Sequence, residues 1–367
     1  MNRDSPADGG QIIAATLARA WRRRQSTELE IAASDLQAIA AHLRRSGAAG
    51  LAWWRIRDTA LANSSCAASL QHDYRLQALR CAAYELRIAY LFRLFEQAAV
   101  DAILLKGWGS ASFYADVTLR PYGDIDILVR PEDLARAKAV LSDAAPSEID
   151  TDLHDRVTDL PGRTFRELHG RSRVLQIGES KVRVLGVEDH LAHVCLHFIR
   201  HYAWRPVWLC DVAATLEALP PDFDWALCCG RDAIETKWID TIIALARMLL
   251  NSEQSSRPER HCVLKAPEWL VKWMLSYWVN DSANRPLDLT PLSRFLTRPR
   301  GMWRDIQGRW PNPIAAALHF GCTPQTFPLP YQAAIFLTRG LRFCGRFALG
   351  RSNQSRGASE LLRSDRP

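Results

Sequence analysis

Apolar positions along the chain change period twice. From Ile12 to about Gln97 they recur at spacings of three and four, the mark of amphipathic helices. The stripe is clearest in the last of these helices, where Leu76, Leu79, Ala83, Leu86, Tyr90 and Leu94 line up while Arg75, Arg80, Arg87 and Arg93 mostly avoid it. Between about 99 and 186 the period shortens. Ile103, Leu104 and Leu105 form an apolar run that stops at Lys106-Gly107; a helix is expected next, and then a second run alternates Asp124 and Asp126 with Ile125, Ile127 and Val129. Pro131 with Glu132 and Asp133 opens a further helix to about Asp143, since proline is tolerated at the first helical position and acidic residues favour its positive end. The segment 146–162 reads as polar and irregular. Strands are then expected over Thr164–His169, Val174–Ile177 and Lys181–Leu185, the last two joined by Gly178-Glu179-Ser180 as a hairpin turn.

Helical periodicity returns after Val187. It marks 187–202, Trp208–Leu219, Ala233–Leu250, Glu268–Trp278 and a final basic helix over Tyr331–Ala348 with Arg339, Arg342 and Arg346. That last helix suits a membrane surface or a protein surface, and packing onto the helical region is the preferred reading. The expected division is therefore a disordered 1–10, an N-terminal helical region 11–98, a mixed core 99–186, a C-terminal helical domain 187–350 and a disordered tail 351–367. Loops and short helices are expected over 281–330.

Length and composition support a globular protein with more than one structural unit: 367 residues, 48% hydrophobic and 24% charged. A formal net charge of +7 favours an anionic partner, although the arginines are dispersed among acids. Nine cysteines contain no CxxC pair, which argues against a disulfide scaffold and a zinc ribbon. No signal core and no long uncharged apolar run is present, so a cytoplasmic protein without stable membrane insertion is expected. Trp21, Trp53 and Trp54 read as packing residues rather than a base-stacking platform.

The chemistry points to Asp124 and Asp126. Alternate residues of a strand project from one face, so these carboxylates stand about 6.5–7 Å apart at Cα and suit a hard divalent cation such as Mg²⁺, with Mn²⁺ as a substitute. Buried in an apolar strand they are costly unless paired or metal-bound. The Lys106-Gly107 turn ahead of a helix start offers backbone N–H groups and a positive charge to an anion, which makes the pair of features a site for a metal-bound polyphosphate. His190, His193, His197 and His201 fall along one helix face. His193 and His197 have the spacing zinc sites use, yet no further ligand completes a set, and a packed face lining the cleft is preferred.

Several of these stretches together carry a resemblance. Lys106-Gly107, Tyr114, the run Arg120-Pro121-Tyr122-Gly123-Asp124-Ile125-Asp126-Ile127-Leu128-Val129, Glu167-Leu168-His169, Val187-Glu188-Asp189-His190-Leu191, Leu196-His197 and Trp208-Leu209-Cys210-Asp211 resemble the bacterial "uncharacterised nucleotidyltransferase" family of the DNA-polymerase-β-like superfamily. The resemblance spans about 70 to 230. Where that superfamily usually opens its site with Gly-Ser before a helix, this chain has Lys106-Gly107-Trp108-Gly109-Ser110, as in the family and similar to the KGG motif of abortive-infection toxin nucleotidyltransferases.

What the resemblance implies is an α+β fold, a small mixed nucleotidyltransferase sheet flanked by N- and C-terminal helical regions. It also implies transfer of a nucleoside monophosphate from a nucleoside triphosphate (NTP) to a hydroxyl or phosphate acceptor, whether small molecule, sugar, peptide or RNA end. Asp124, Asp126 and Glu167 would be catalytic and hold the metals, with Glu167 on an ELH strand as the third carboxylate or else a solvent-facing residue. Lys106, Gly107, Ser110, Arg120, His197 and Asp211 would bind nucleotide, with a structural ion pair as the alternative for Arg120. His169 is either a neighbour of the metal site or a core histidine. Two other functional classes fit the same residues: a nucleotide-binding scaffold without turnover, and a toxin that adds nucleotides to tRNA ends.

Overall fold

The computed structural model describes residues 6–23, 29–253, 265–280 and 310–348. The chain falls into two compact units, Met1–Asn280 and Asp281–Pro367. In the first unit, helices α1 (Pro6–Leu17), α2 (Ala33–Arg45), α3 (Ala49–Ile56) and α4 (Ala67–Gln97) precede the sheet. α1 begins at Pro6, inside the stretch expected to be disordered. Strand β1 (Ala102–Leu104), the one-turn helix α5 (Trp108–Ala111), β2 (Ile125–Val129), α6 (Leu134–Asp143) and β3 (Thr151–His154) follow. Next come α7 (Phe165–Arg171), β4 (Arg173–Ile177) and β5 (Ser180–Val184), then helices α8 (Val187–Arg200), α9 (Pro206–Glu217), α10 (Trp225–Cys229), α11 (Ala233–Leu250) and α12 (Glu268–Trp278). In the second unit the described helices are α13 (Pro313–His319) and α14 (Leu329–Ala348). The expected tail from Arg351 and residues 281–309 lie outside the described residues.

The five strands form one mixed sheet in the order β3-β2-β1-β5-β4, so the expected α+β architecture is what the chain adopts. β1 pairs antiparallel with β2 and parallel with β5, β2 pairs parallel with β3, and β4 and β5 form the expected hairpin. Gly178 in the hairpin turn has φ 56°, a left-handed conformation that glycine adopts without a Cβ clash. Ile125, Ile127 and Val129 of β2 point to one face, where they pack with Leu104, Val182 and Val184 against Ile88, Leu91, Phe92 and Phe95 of α4. Asp126, at the alternate position, lies on the opposite face.

Two expectations need correction. The segment Thr164–His169 is not a strand. Thr164 accepts a hydrogen bond from the Glu167 amide, and the Glu167 carboxylate accepts one from the Thr164 amide, a capping box that starts helix α7. The strand instead lies in the stretch read as irregular, at Thr151–His154.

The second correction concerns α4. Its stripe of Leu76, Leu79, Ala83 and Leu86 is largely exposed, with Leu79 at 71% and Leu86 at 75%, while Leu70, Cys81, Ile88, Leu91, Phe92 and Phe95 are the buried residues. Over a 31-residue helix the buried face shifts to follow what lies beneath it, and the sheet lies only under the C-terminal half.

Phe95→Ala should therefore cost about 3–5 kcal/mol of unfolding free energy, as deletion of a buried aromatic does, whereas Leu79→Ser should change it by about 0.5 kcal/mol or less. Denaturant unfolding of the two variants measures this, and equal losses would contradict the assignment of the buried face.

Candidate active site

The site is built at the ends of β1, β2 and β3. The Leu105 amide donates to the Asp126 carbonyl at 3.1 Å, which carries the β1–β2 pairing one residue further and sets Lys106 beside Asp126. On the other side, Asp126 is the register partner of Asp152 on parallel β3. Adjacent strands lie about 4.8 Å apart, so side chains from partnered positions meet on the same face. Ligand oxygens of Asp124, Asp126 and Asp152 lie within 4.8 Å of one another, the single such acidic group among the described residues.

Three like charges this close need positive partners. Asp126 is 5% exposed. Its Oδ2 lies 3.2 Å from Lys106 Nζ, and its Oδ1 lies 2.9 Å from His154 Nε2. Burial works to raise the Asp126 pKa, but the hydrogen bond with His154 and the Lys106 charge outweigh it and bring it to about 2. Asp124, which has no comparable partner pair, is pushed upward by burial and by the charge of Asp126. The His154 imidazole is raised by its hydrogen bond to Asp126, against the effect of burial.

Gly107 follows Lys106 with φ 64° and ψ −112°, a backbone conformation open to glycine, and the chain turns there into α5. The helix expected after this turn is α5, a single turn of four residues. Within it, the buried Ser110 hydroxyl has no hydrogen-bond partner.

Arg120 and Asp211 meet each other. Arg120 donates from Nη2 to Asp211 Oδ2 at 3.1 Å and from Nη1 to the Pro121 carbonyl at 2.9 Å, and Tyr114 donates to Asp211 Oδ1 at 2.7 Å. Both charges are buried. The guanidinium is thus engaged in the ion pair weighed as its alternative role, and the pair ties the loop before β2 to α9. The same loop is held from the other side, where Tyr84 donates to the Gly123 carbonyl and stacks on Tyr122 at 5.3 Å.

Glu167 is absent from the acidic group. It is exposed, and its carboxylate is occupied by Thr164 in the capping box. Asp152 occupies the third corner instead. His169, on α7, stacks on Phe165 at 5.4 Å, with Nε2 3.8 Å from Asp101 Oδ1.

Of the histidine row, His190, His193 and His197 are buried on α8, while His201 is exposed just past its end. Asp159 Oδ2 lies 3.0 Å from His197 Nδ1 and 3.6 Å from His193 Nδ1, contacts close enough for ion pairs. Burial nevertheless brings both imidazoles down to about 4 despite Asp159, so near neutrality they are uncharged and the contact is dipolar. The charge of Lys106 adds to this lowering in both rings, which sets the row within electrostatic reach of the acidic site.

Three carboxylates converging from neighbouring strands beside a lysine, on a small mixed sheet, define a candidate divalent-cation site of the nucleotidyl-transfer type. The family described as uncharacterised nucleotidyltransferase matches residues 32–146 and 145–249, more than half of the chain, and the chain belongs to that family. It is accordingly a nucleotidyltransferase enzyme, of a class that generally uses a divalent metal. Comparison with curated proteins and with solved structures gave no match. Among the described residues no helix is long and apolar enough to cross a membrane.

The histidine row makes stability pH-dependent. His193 and His197 have folded pKa values of about 4, below the ordinary 6.5, so the unfolded chain takes up protons first as the solution is acidified. Stability should then fall between pH 6.5 and 4, by up to about 1.4 kcal/mol per pH unit for each ring. Denaturant unfolding across that window measures the slope, and His193→Gln with His197→Gln should flatten it.

Proposed function

We propose that the chain transfers a nucleoside monophosphate from an NTP to an acceptor hydroxyl or phosphate, using Mg²⁺ and releasing pyrophosphate. The observation that carries the reading is the convergence of Asp124, Asp126 and Asp152 around one point beside Lys106, with Asp126 buried at its centre. A donor set of three carboxylates fits Mg²⁺ or Mn²⁺, which are hard cations that accept oxygen ligands. Bound there, the cation would neutralise charge on the attacking oxygen and on the departing pyrophosphate.

The residues of the chain have separable tasks in this reaction. A bond forms between the acceptor oxygen and the α-phosphorus while the bond from that phosphorus to the pyrophosphate oxygen breaks. Asp124, Asp126 and Asp152 would hold the cation. Asp152 also takes the place first assigned to Glu167, closing the carboxylate triangle and receiving the acceptor's proton. Lys106 supplies positive charge to the triphosphate, and the Gly107 turn with the Ser110 hydroxyl faces the same phosphates. Arg120 and Asp211 act by fixing the loop that presents Asp124, and Asp159 with His197 forms a wall of the cleft.

Purified protein with Mg²⁺, a panel of hydroxyl and phosphate acceptors and the four labelled NTPs in turn should release pyrophosphate and label an acceptor in at least one pairing. Asp126→Ala and Asp152→Asn should each lower the rate by about 10²–10³-fold, the order seen when a preorganised charge-stabilising group is removed. Glu167→Gln should leave the rate within a few-fold of wild type. Loss of activity in Glu167→Gln with retention in Asp152→Asn would reverse the assignment of the third carboxylate.

A further inference from the structure

Charge in the second unit is distributed unlike charge in the rest of the chain. Residues 306–359 contain no aspartate or glutamate, and their charged side chains are six arginines, Arg309, Arg339, Arg342, Arg346, Arg351 and Arg356. Over the whole chain the two signs are mixed, with 47 basic and 40 acidic residues. The same segment is rich in exposed apolar surface. Trp310, Phe320, Phe327, Leu329, Leu337 and Leu341 make up six of the eleven exposed large hydrophobics among the described residues.

The first half of α14 is anchored on α13 and the segment before it. Gln332 Nε2 donates to the Pro311 carbonyl at 2.6 Å, the Tyr331 ring lies 5.2 Å from that of Phe320, and Phe336 lies 5.3 Å from Trp310. Past these contacts every residue from Leu337 to Arg342 is exposed, Leu337 at 63% and Leu341 at 73%. Leu337 and Leu341 stand one turn apart on one side of the helix, and Arg339 and Arg342 share the other side. Apolar exposure and unbalanced positive charge therefore coincide on two turns of helix.

An occupant of this surface has to cover leucine and attract arginine. A second copy of the chain would set arginine against arginine, with no acid in the segment to answer it. A nucleic acid would satisfy the arginines and leave the leucines in water. An acidic protein would need an apolar groove matched to Leu337 and Leu341, whereas a bilayer needs no such match. Its anionic headgroups attract the guanidinium groups, and the boundary with the acyl chains takes up the leucines.

We propose that α14 docks the protein on an anionic phospholipid surface, with Leu337 and Leu341 entering the headgroup–acyl boundary and Arg339 and Arg342 at the headgroup phosphates. The helix lies in the plane of the surface and does not cross it, as its arginines require. The transfer reaction proposed above neither supports this docking nor depends on it.

The full chain is sedimented with vesicles of phosphatidylcholine mixed with phosphatidylglycerol, and with vesicles of phosphatidylcholine alone. It should bind the mixed vesicles, lose affinity as NaCl is raised, and bind the neutral vesicles far more weakly. Leu337→Gln with Leu341→Gln should weaken binding to the mixed vesicles by about tenfold or more, as loss of two leucines from an apolar phase requires. Arg339→Gln with Arg342→Gln should weaken it by about tenfold or more, from the attraction of each arginine to an anionic surface. All four side chains are exposed, so both variants should keep the wild-type circular dichroism spectrum, which separates lost docking from lost folding. Equal binding to neutral vesicles, or undiminished binding by the leucine variant, would overturn the proposal. No sedimentation of the wild type with the mixed vesicles would overturn it too and leave the face to an acidic protein partner. A wild-type dimer that the leucine substitutions split into monomers would do the same, by assigning the face to a second copy.

Discussion

The structure depends on a carboxylate carried into the middle of a sheet. An isolated ionised side chain in such a place is unfavourable by several kcal/mol, so its surroundings have to supply compensating charge. The compensation comes from the two strands that flank β2. Lys106 follows β1 and His154 ends β3, and both reach Asp126 because backbone pairing fixes their register to within a residue. A slip of one residue on either strand would turn these side chains to the opposite face, against the apolar helix α4. The hydrophobic face of the sheet and the charged face therefore specify the same register, and packing of Ile125, Ile127 and Val129 onto Phe92 and Phe95 is what keeps Asp126 aligned with Asp152.

The loop ahead of β2 needs its own restraint, since Asp124 lies just outside the strand. Two contacts provide it. The buried Arg120–Asp211 pair joins the loop to α9, with Tyr114 completing the hydrogen bonding of Asp211. On the opposite flank, Tyr84 of α4 binds the Gly123 carbonyl. Burial works to lower the Arg120 pKa, and Asp211 more than offsets that effect, so the guanidinium stays charged and bonded to Asp211 and the Pro121 carbonyl. A buried pair of this sort adds little net stability over an apolar substitute, but breaking one half leaves an uncompensated charge. Its contribution here is positional: it determines where the polypeptide enters β2.

Much of this was legible in the sequence, and the parts that were not have identifiable reasons. Asp124-Ile125-Asp126-Ile127 announces a two-faced strand because the apolar neighbours are strong and the alternation strict. Asp152-Leu153-His154 carries the same alternation, but with one apolar residue and a half-exposed edge position it does not stand out from the polar residues around it. The missed signal was the repeat of an acid-x-acid pattern as acid-x-histidine about 28 residues later. At Thr164–His169 the opposite happened. Phe165 and Leu168 suggested strand, while Thr164 followed three residues later by Glu167 is a helix-start pattern that outweighed them. In α4 the periodicity identifies the helix but not its covered face, because a long helix has apolar residues on more than one face and only tertiary contacts decide which is covered.

The histidines of α8 show how the electrostatics of the site are kept simple. Three buried rings on this helix near a lysine would form a cationic wall if protonated, and would compete with Lys106 for the acidic trio and for any phosphate. Burial prevents this in His193 and His197 by holding them neutral, and Asp159 supplies a nearby acceptor without restoring their charge. Beside the carboxylates, Lys106 and His154 are then the cations that face Asp126, and Arg120 is committed to its buried pair. A polyanion entering such a site would therefore meet the Lys106 charge without a protonated histidine wall behind it.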